Sequence, residues 1–169
     1  FFTPTDILLP AHADMRRWSV IACDQFTADA GYWQAVQDTV GDAPSTLRLM
    51  LPEFYLGKCD EAAATREIQQ TMRRYLDDGV FRTVPHSLVL VQRTLPGGTV
   101  RCGIVGALDL EAYDYAPDSV TPIRATEGTV ASRLPARVRI RAAAALEMPH
   151  IMVFYSDPED TIRREAQAA

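Results

Sequence analysis

Histidine, cysteine and positive charge are all scarce in this sequence, and each shortage argues against a class of function. The three histidines include no pair at i, i+4 spacing, and the three cysteines have no metal-ligand spacing, so we expect no zinc site. The odd number of cysteines fits reduced, mostly buried thiols. Because the net charge is −5 at pH 7, we also expect no broad nucleic-acid binding, which normally needs a basic surface.

Long apolar runs and several well-known catalytic motifs are missing as well. No apolar stretch approaches the roughly 20 residues that a membrane helix needs, and residues 1–6 lack the regions of a secretory signal. We therefore expect a cytoplasmic protein with no membrane partner. The Walker A motif, the Gly-rich loop of protein kinases, the dinucleotide fingerprint and a Ser-His-Asp pattern are also absent.

What the chain does contain is the composition of one folded domain. Of its 169 residues, 47% are apolar and 23% are charged, which is ordinary for a protein with a substantial core. The chain starts without Met and ends in a helix-like stretch with no C-cap signal, so we interpret it as a fragment of a longer protein. We predict a single α/β domain over residues 1–169.

Helix and strand patterns alternate along the chain. The clearest helix covers 60–78. An apolar stripe at helical spacing lies between Asp60, a suitable N-cap, and Gly79, a residue that commonly ends a helix. The Gly-Gly turn within 95–98 predicts a hairpin. The fold class is therefore a mixed β-sheet with a hairpin and flanking helices, of either the α/β or the α+β type. We predict helices at 29–40, 60–78 and 142–148, and strands at 18–23, 47–51, 87–94, 99–110 and 151–155.

One segment, 121–141, departs from the acidic character of the rest. It holds five of the sixteen arginines and a single carboxylate, Glu127. Thr126, Gly128 and Thr129 surround that carboxylate and form a small turn in which backbone N–H groups can face a ligand. Arginines beside such a turn suit planar anions with several oxygens, above all phosphate. We interpret this segment as the candidate active centre.

The arginine spacing within this segment predicts a common face. Arg133, Arg137 and Arg141 are spaced by four, so a helix from 129 onward, kinked or interrupted at Pro135, carries all three on one side. Three like charges on one face need compensation. The sequence leaves three sources open: an anionic ligand, water, or acidic residues elsewhere in the fold, such as Asp109, Glu111 and Asp114.

Two carboxylates are candidates for chemistry, and each has an alternative interpretation. Glu127 either takes a proton from a substrate hydroxyl as a general base or stabilises a helix N-terminus. Asp24 lies at the end of the predicted strand 18–23. It either belongs to the candidate active centre or caps a helix or turn. Phosphoryl transfer needs mainly positioned cations, a metal and such a base. The residues alone predict binding of a phosphorylated or anionic small molecule.

Several motifs together resemble a bacterial and archaeal family, the domain of unknown function 1015 family. They lie at 22–27, 41–47, 51–53, 127–137 and 146–152, so the resemblance covers nearly the whole chain. Members are usually much longer, and the chain resembles the N-terminal part of one. Family genes are often found beside genes of serine biosynthesis, and some relatives have been proposed to be serine kinases.

The resemblance implies an ATP-dependent kinase that phosphorylates a small hydroxyl metabolite such as L-serine, with ATP and Mg²⁺ as cofactors. The alternative is a non-catalytic module that binds an anionic metabolite, a nucleotide or a partner protein. A purely structural role for the arginines is a third option, and the sequence does not give the oligomeric state. On the kinase interpretation Glu127 and Asp24 are catalytic, and phosphate is held by Arg124, Thr126, Gly128, Thr129, Arg133 and Arg137.

Overall fold

The computed structural model describes residues 1–125, 128, 130–148 and 150–168. Its interleaved helices and short strands confirm the predicted mixed α/β class with a hairpin and flanking helices. The chain divides into two compact units. We call Pro10–Arg82 with Val130–Ile151 the helical unit, and Phe1–Leu9 with Thr83–Thr129 and Met152–Ala169 the strand unit. The single domain over residues 1–169 stays a prediction.

The longer helices begin where their sequence signals place them. The Asp29 carboxylate accepts a hydrogen bond from the backbone N–H of Tyr32, and Asp60 accepts from Ala62 and Ala63, which satisfies otherwise unpaired first-turn donors. The helices predicted at 29–40 and 60–78 are thereby confirmed. No helix among the described residues has the length and apolar character to cross a bilayer. The α-helices are α1 (Met15–Trp18), α2 (Ala30–Val40), α3 (Glu61–Asp77), α4 (Leu134–Arg141) and α5 (Thr161–Ala168), and 3-10 turns lie at Thr46–Leu49, Glu53–Tyr55, Leu110–Ala112 and Ala131–Arg133.

The strands form two-stranded sheets in the described part of the chain. The predicted hairpin is confirmed: its strands pair antiparallel from Val89↔Val105 to Thr94↔Val100, and Gly97 and Gly98 both have positive φ in the connecting turn. The strands are β1 (Phe2–Thr3), β2 (Thr5–Pro10), β3 (Phe81–Ser87), β4 (Val89–Thr94), β5 (Val100–Val105), β6 (Ala107–Leu108), β7 (Tyr113–Asp114) and β8 (Ile123–Arg124), which pair as β1–β6, β2–β3, β4–β5 and β7–β8.

The hydrophobic core of the helical unit is built around one face of α3. Its buried side chains are Trp18, Leu49, Ile68, Met72 and Tyr75, of which the last three recur at helical spacing along α3. Leu76, the fourth apolar residue of the predicted stripe, is 38% exposed.

The helix α4 rests on α3 through apolar and polar contacts. Ile140 of α4 packs against the core. The side-chain amide of Gln69 in α3 donates to the carbonyl oxygens of Arg139 and Ile140, at 2.9 and 3.0 Å. These bonds satisfy carbonyls in the last turn of α4, which have no partner within the helix itself. The position of α4, and with it the arginine series, is therefore fixed by α3.

Two predicted strands in the helical unit are wrong. Instead of a strand over 18–23, Trp18 ends α1, which Asp14 caps by accepting from the backbone N–H of Arg16. Instead of a strand over 47–51, the chain forms the 3-10 turn Thr46–Leu49. The Ser45 hydroxyl accepts from the backbone N–H of Leu47, which favours a helical turn at this point. Short apolar runs do not distinguish strands from buried helical turns.

The helix predicted at 142–148 and the strand predicted at 151–155 are also wrong. The helix predicted at 142–148 is absent, because α4 already ends at Arg141 and the following apolar side chains lie against the core in irregular backbone. The strand predicted at 151–155 has no pairing among the described residues, and all five side chains are exposed.

The predicted kink or interruption of a longer helix at Pro135 is also not found. Pro135 lies in the first turn of α4, where its missing N–H has no intrahelical partner to lose.

Candidate functional site

The arginine series meets an acid in the helical unit at Glu53. One carboxylate oxygen of Glu53 lies 2.9 Å from Nη2 of Arg137, and the other lies 3.3 Å from Nε of Arg133. The Glu53 side chain is only 9% exposed, whereas the two arginine side chains are 46% and 45% exposed. A nearly buried carboxylate thus holds two half-exposed guanidinium groups next to each other. We call these three residues the Glu53 cluster.

Local structure explains why these three side chains meet. Arg133 lies directly before α4 and Arg137 lies in α4, so their spacing of four places both side chains on one face, as the sequence predicts. Glu53 opens the 3-10 turn Glu53–Tyr55, and its backbone N–H donates to the carbonyl oxygen of Cys23 at 2.8 Å. That bond ties the carboxylate to the loop that follows α1.

The remaining arginines of α4 contact other acids. Arg139 pairs with Glu61 at the start of α3, and Arg141 pairs with Glu147. The sequence suggests Asp109, Glu111 and Asp114 as acidic partners. In the structure the arginines pair instead with Glu53, Glu61 and Glu147, two of which belong to distant segments of the helical unit.

Cys23 lies next to the Glu53 cluster, and the charges of the cluster affect the pKa of its thiol. Burial raises the pKa of the Cys23 thiol, and the carboxylates of Asp24 and Glu53 add to that rise, while the guanidinium of Arg137 opposes it. A thiol with a raised pKa carries little thiolate near neutral pH, so Cys23 is poorly suited to act as a nucleophile.

Asp24 lies beside Cys23 in the same loop. Its carboxylate accepts a hydrogen bond of 3.2 Å from the side-chain amide of Gln25. After burial, which is the largest cause, its negative charge contributes to the raised pKa of the Cys23 thiol. Asp24 makes no ion pair within the described part of the chain, so its carboxylate retains acceptor capacity for a ligand or a cation.

Five of the eight site residues predicted from the sequence lie in the described part of the chain, and they divide between the two units. Asp24, Arg133 and Arg137 belong to the helical unit, and the loop of Cys23 brings Asp24 near the cluster that the two arginines form. Arg124 lies in β8, where it is in register with Asp114 of β7, and Gly128 is an exposed residue of the strand unit. Thr126, Glu127 and Thr129 lie outside the described residues. The functional roles of all eight stay predictions.

Sequence reasoning missed Glu53 as a member of the site. The signal for some acid is present, because an arginine face without neighbouring carboxylates needs compensation. The segment 51–53 is also one of the motifs that carry the family resemblance. What the sequence lacks is a way to choose Glu53 among 22 acidic residues, because the pairing joins positions about eighty residues apart.

Comparison with known proteins agrees with those motifs. A family model described as a protein of unknown function (DUF1015) matches residues 4–169, which is nearly the whole chain. No curated protein and no solved structure gives a match. The match includes the three segments that the Glu53 cluster and its surroundings bring together, around Cys23, Glu53 and Arg133. The chain therefore belongs to the DUF1015 family.

Proposed function

We propose that this protein binds ATP through a phosphate site at Arg133 and Arg137 and transfers phosphate to a small hydroxyl metabolite such as L-serine. The observation that carries the proposal is the Glu53 cluster, in which two half-exposed guanidinium groups are held next to each other by one nearly buried carboxylate. Guanidinium groups match the oxygens of phosphate in geometry and charge.

Phosphoryl transfer makes modest demands on a protein, and this site meets part of them. Positioned cations stabilise the charge of the transferred group, and a carboxylate orients the acceptor hydroxyl. Magnesium in nucleotide sites is held by one or two carboxylates together with the phosphates, so a dedicated cluster of ligands is unnecessary. In this proposal Asp24 helps to hold Mg²⁺ or substrate, because its carboxylate has acceptor capacity and the neighbouring Cys23 accepts a hydrogen bond from the backbone N–H of Glu53.

The roles predicted for the turn around Glu127 rest on the sequence alone. They are a general base for Glu127, and phosphate ligands for Arg124, Thr126, Gly128 and Thr129. Support for these roles comes from the sequence, where the only carboxylate of an arginine-rich segment lies within a Thr/Gly turn.

The direct test is to incubate the protein with ATP, Mg²⁺ and L-serine and to measure O-phosphoserine by mass spectrometry. We expect product from the parent protein. Arg137→Ala should lose ATP affinity in calorimetry, whereas Glu127→Gln should lose turnover and keep much of that affinity. Arg139→Ala, which changes an arginine of the same helix outside the Glu53 cluster, is the matched control. Absence of both product and ATP binding would eliminate the proposal.

A second candidate function is a module that binds an anionic metabolite without turnover. It is favoured because Glu53, the carboxylate that contacts Arg133 and Arg137 in the described part of the chain, has both oxygens engaged, whereas the base of the kinase proposal, Glu127, rests on the sequence alone. For such a module, Arg133→Ala should abolish binding of the anion while Glu127→Gln leaves it unchanged. Formation of O-phosphoserine by the parent protein decides against this candidate.

A further inference from the structure

A cavity in the helical unit that shares no residue with the Glu53 cluster is lined by charges of both signs. Its volume is about 350 Å³, which is within the range of small-molecule sites. Two arginines and two aspartates contribute to its lining, so their formal charges sum to zero. They are Asp42, Arg48, Arg74 and Asp78. Because the charges balance, this lining favours neither a simple anion nor a simple cation.

The opposite charges along the cavity do not neutralise each other by direct contact. None of the four side chains makes an ion pair in the described part of the chain. The carboxylates of Asp42 and Asp78 accept no hydrogen bond there either. The cavity therefore presents carboxylate oxygens whose acceptor capacity is available to a ligand.

Both carboxylates follow the C-terminal end of a helix. Asp42 comes directly after Gly41, the C-cap of α2, and Asp78 is itself the C-cap of α3. The C-terminal end of a helix carries a partial negative charge, so it disfavours a nearby carboxylate and favours a cation. A ligand ammonium group near these two aspartates would offset that unfavourable placement.

The two arginines are positioned by hydrogen bonds that use only some of their donors. Arg48 lies in a 3-10 turn, and its guanidinium donates to the carbonyl oxygens of Gly41 and Ala43. Arg74 lies in α3 and donates to the hydroxyl oxygen of Thr71 at 3.1 Å. Each guanidinium has five N–H donors, so several remain for an anionic group. The existing bonds also reduce the ordering cost of binding one.

A buried hydroxyl supplies a further donor at this cavity. Tyr75 is only 4% exposed and belongs to the cavity lining. Its oxygen accepts a hydrogen bond of 3.0 Å from the backbone N–H of Ser45, whereas its proton has no acceptor in the described part of the chain. A buried donor without an acceptor costs free energy, so an oxygen of a ligand would be stabilised here.

We propose that this cavity binds a small zwitterion, with its ammonium group at Asp42 and Asp78 and its anionic group at Arg48 and Arg74. An α-amino acid carries such a pair of groups, and so does an amino phosphate ester such as phosphoethanolamine. The guanidinium donors suit a carboxylate or a phosphate, so the defining chemistry is the two opposite charges on one small molecule. The inference concerns residues outside the Glu53 cluster and does not rest on the proposed function.

The first test compares ligands that differ by one charged group. L-Alanine carries both groups, propionate lacks the ammonium group, and ethylamine lacks the carboxylate. Titrations of the isotope-labelled chain at neutral pH are followed by chemical-shift changes in nuclear magnetic resonance. We expect L-alanine to bind at least roughly tenfold more tightly than either analogue, because each analogue loses one set of charge-assisted hydrogen bonds. L-Alanine has no hydroxyl to accept phosphate, so the result is independent of O-phosphoserine formation.

A parallel titration with phosphoethanolamine identifies the anionic group of the ligand. Its analogues with a single type of charge are ethyl phosphate and ethylamine. Tighter binding of L-alanine indicates a carboxylate, and tighter binding of phosphoethanolamine indicates a phosphate, and either result supports a zwitterion site. The inference is overturned when neither zwitterion shows saturable binding, or when each binds no more tightly than its analogues.

Two substitutions test which residues contact each charge of the ligand. Asp78→Asn should lower the preference for L-alanine over propionate, because it removes an attraction for ammonium and a repulsion of the lone anion. Arg74→Gln should lower the preference for L-alanine over ethylamine for the converse reason. With phosphoethanolamine as the ligand, the same two preferences are measured against ethyl phosphate and ethylamine. Both side chains belong to exposed residues, so we expect the variants to fold.

The matched controls are Asp77→Asn and Arg73→Gln. They make the same chemical changes at the preceding positions of α3, which are not part of the cavity lining in the described structure. Both controls should keep the preferences of the parent protein. Equal changes in the controls and in the cavity variants, or unchanged preferences in Asp78→Asn and Arg74→Gln, overturn the assignment of the site.

Discussion

Two of the ion-pair arrangements that involve arginines in or directly before α4 differ in burial and in charge balance. In the Glu53 cluster, a side chain that is 9% exposed contacts both Arg133 and Arg137. In the second arrangement, Glu61 is 28% exposed, pairs with Arg139 and also accepts a hydrogen bond from the backbone N–H of Gly57. Counted over their own side chains, the first carries one net positive charge and the second is neutral.

The difference separates a structural contact from a candidate ligand site. The pair of Glu61 and Arg139 closes the loop before α3 and needs no further partner to balance its charges. The Glu53 cluster has excess positive charge on half-exposed side chains whose positions are fixed, which is the arrangement that binds an anion without a large ordering cost. Both arrangements depend on the docking of α4 against α3.

The largest expected effect comes from removing the support that both arrangements share. Met72 of α3 is fully buried in the core against which Ile140 of α4 packs. Met72→Ala should lower the free energy of unfolding by about 2–5 kcal/mol, because it removes apolar contacts and leaves a cavity. Urea denaturation measures the loss. Leu76→Ala, at the partly exposed position one turn further along α3, should cost clearly less, and equal losses would contradict this description of the core.

A smaller effect should distinguish the two ion-pair arrangements directly. Arg137→Ala leaves the nearly buried carboxylate of Glu53 with Arg133 alone and should cost about 1–2 kcal/mol of stability. Arg139→Ala makes the same chemical change at another position of α4 and should cost below about 1 kcal/mol, as exposed pairs do. Thermal unfolding of both variants gives the comparison. A larger loss for Arg139→Ala would reverse the ranking of the two arrangements.

The parts of the fold that the sequence predicted correctly depend on local signals. Asp60 and Gly79 mark the two ends of α3 within a few residues of the helix itself, and the Gly97–Gly98 turn lies between the strands that it joins. The arginine spacing on α4 is equally local, since residues four apart in a helix share a face. Each of these signals acts over less than about two helical turns.

The parts that sequence reasoning missed depend on distant contacts. Glu53 meets Arg137 only because α4 docks on α3, and no pattern within 51–53 or 133–137 specifies that approach. The run 47–51 has strand-like composition, yet the Ser45 hydroxyl and the burial of Leu49 select a 3-10 turn. In both cases tertiary packing decides between local alternatives of similar free energy.

The smallest expected effect uses Cys23 as a reporter of the charge at the Glu53 cluster. The pKa of this thiol is raised chiefly by burial, and Arg137 opposes the rise. Only the thiolate is negatively charged, so a nearby guanidinium favours it and lowers the pKa. Replacing Arg137 with Ala removes that stabilisation and should move the pKa of Cys23 still higher.

The measurement is the alkylation rate of Cys23 as a function of pH, followed by mass spectrometry, with the midpoint of the profile as the readout. The midpoint should move to higher pH in Arg137→Ala and stay in place in Arg139→Ala, whose guanidinium pairs with Glu61 instead. A change in exposure alone alters the maximal rate and leaves the midpoint where it was. A midpoint that moves equally in both variants would mean that Cys23 senses the whole arginine face of α4 and not the Glu53 cluster.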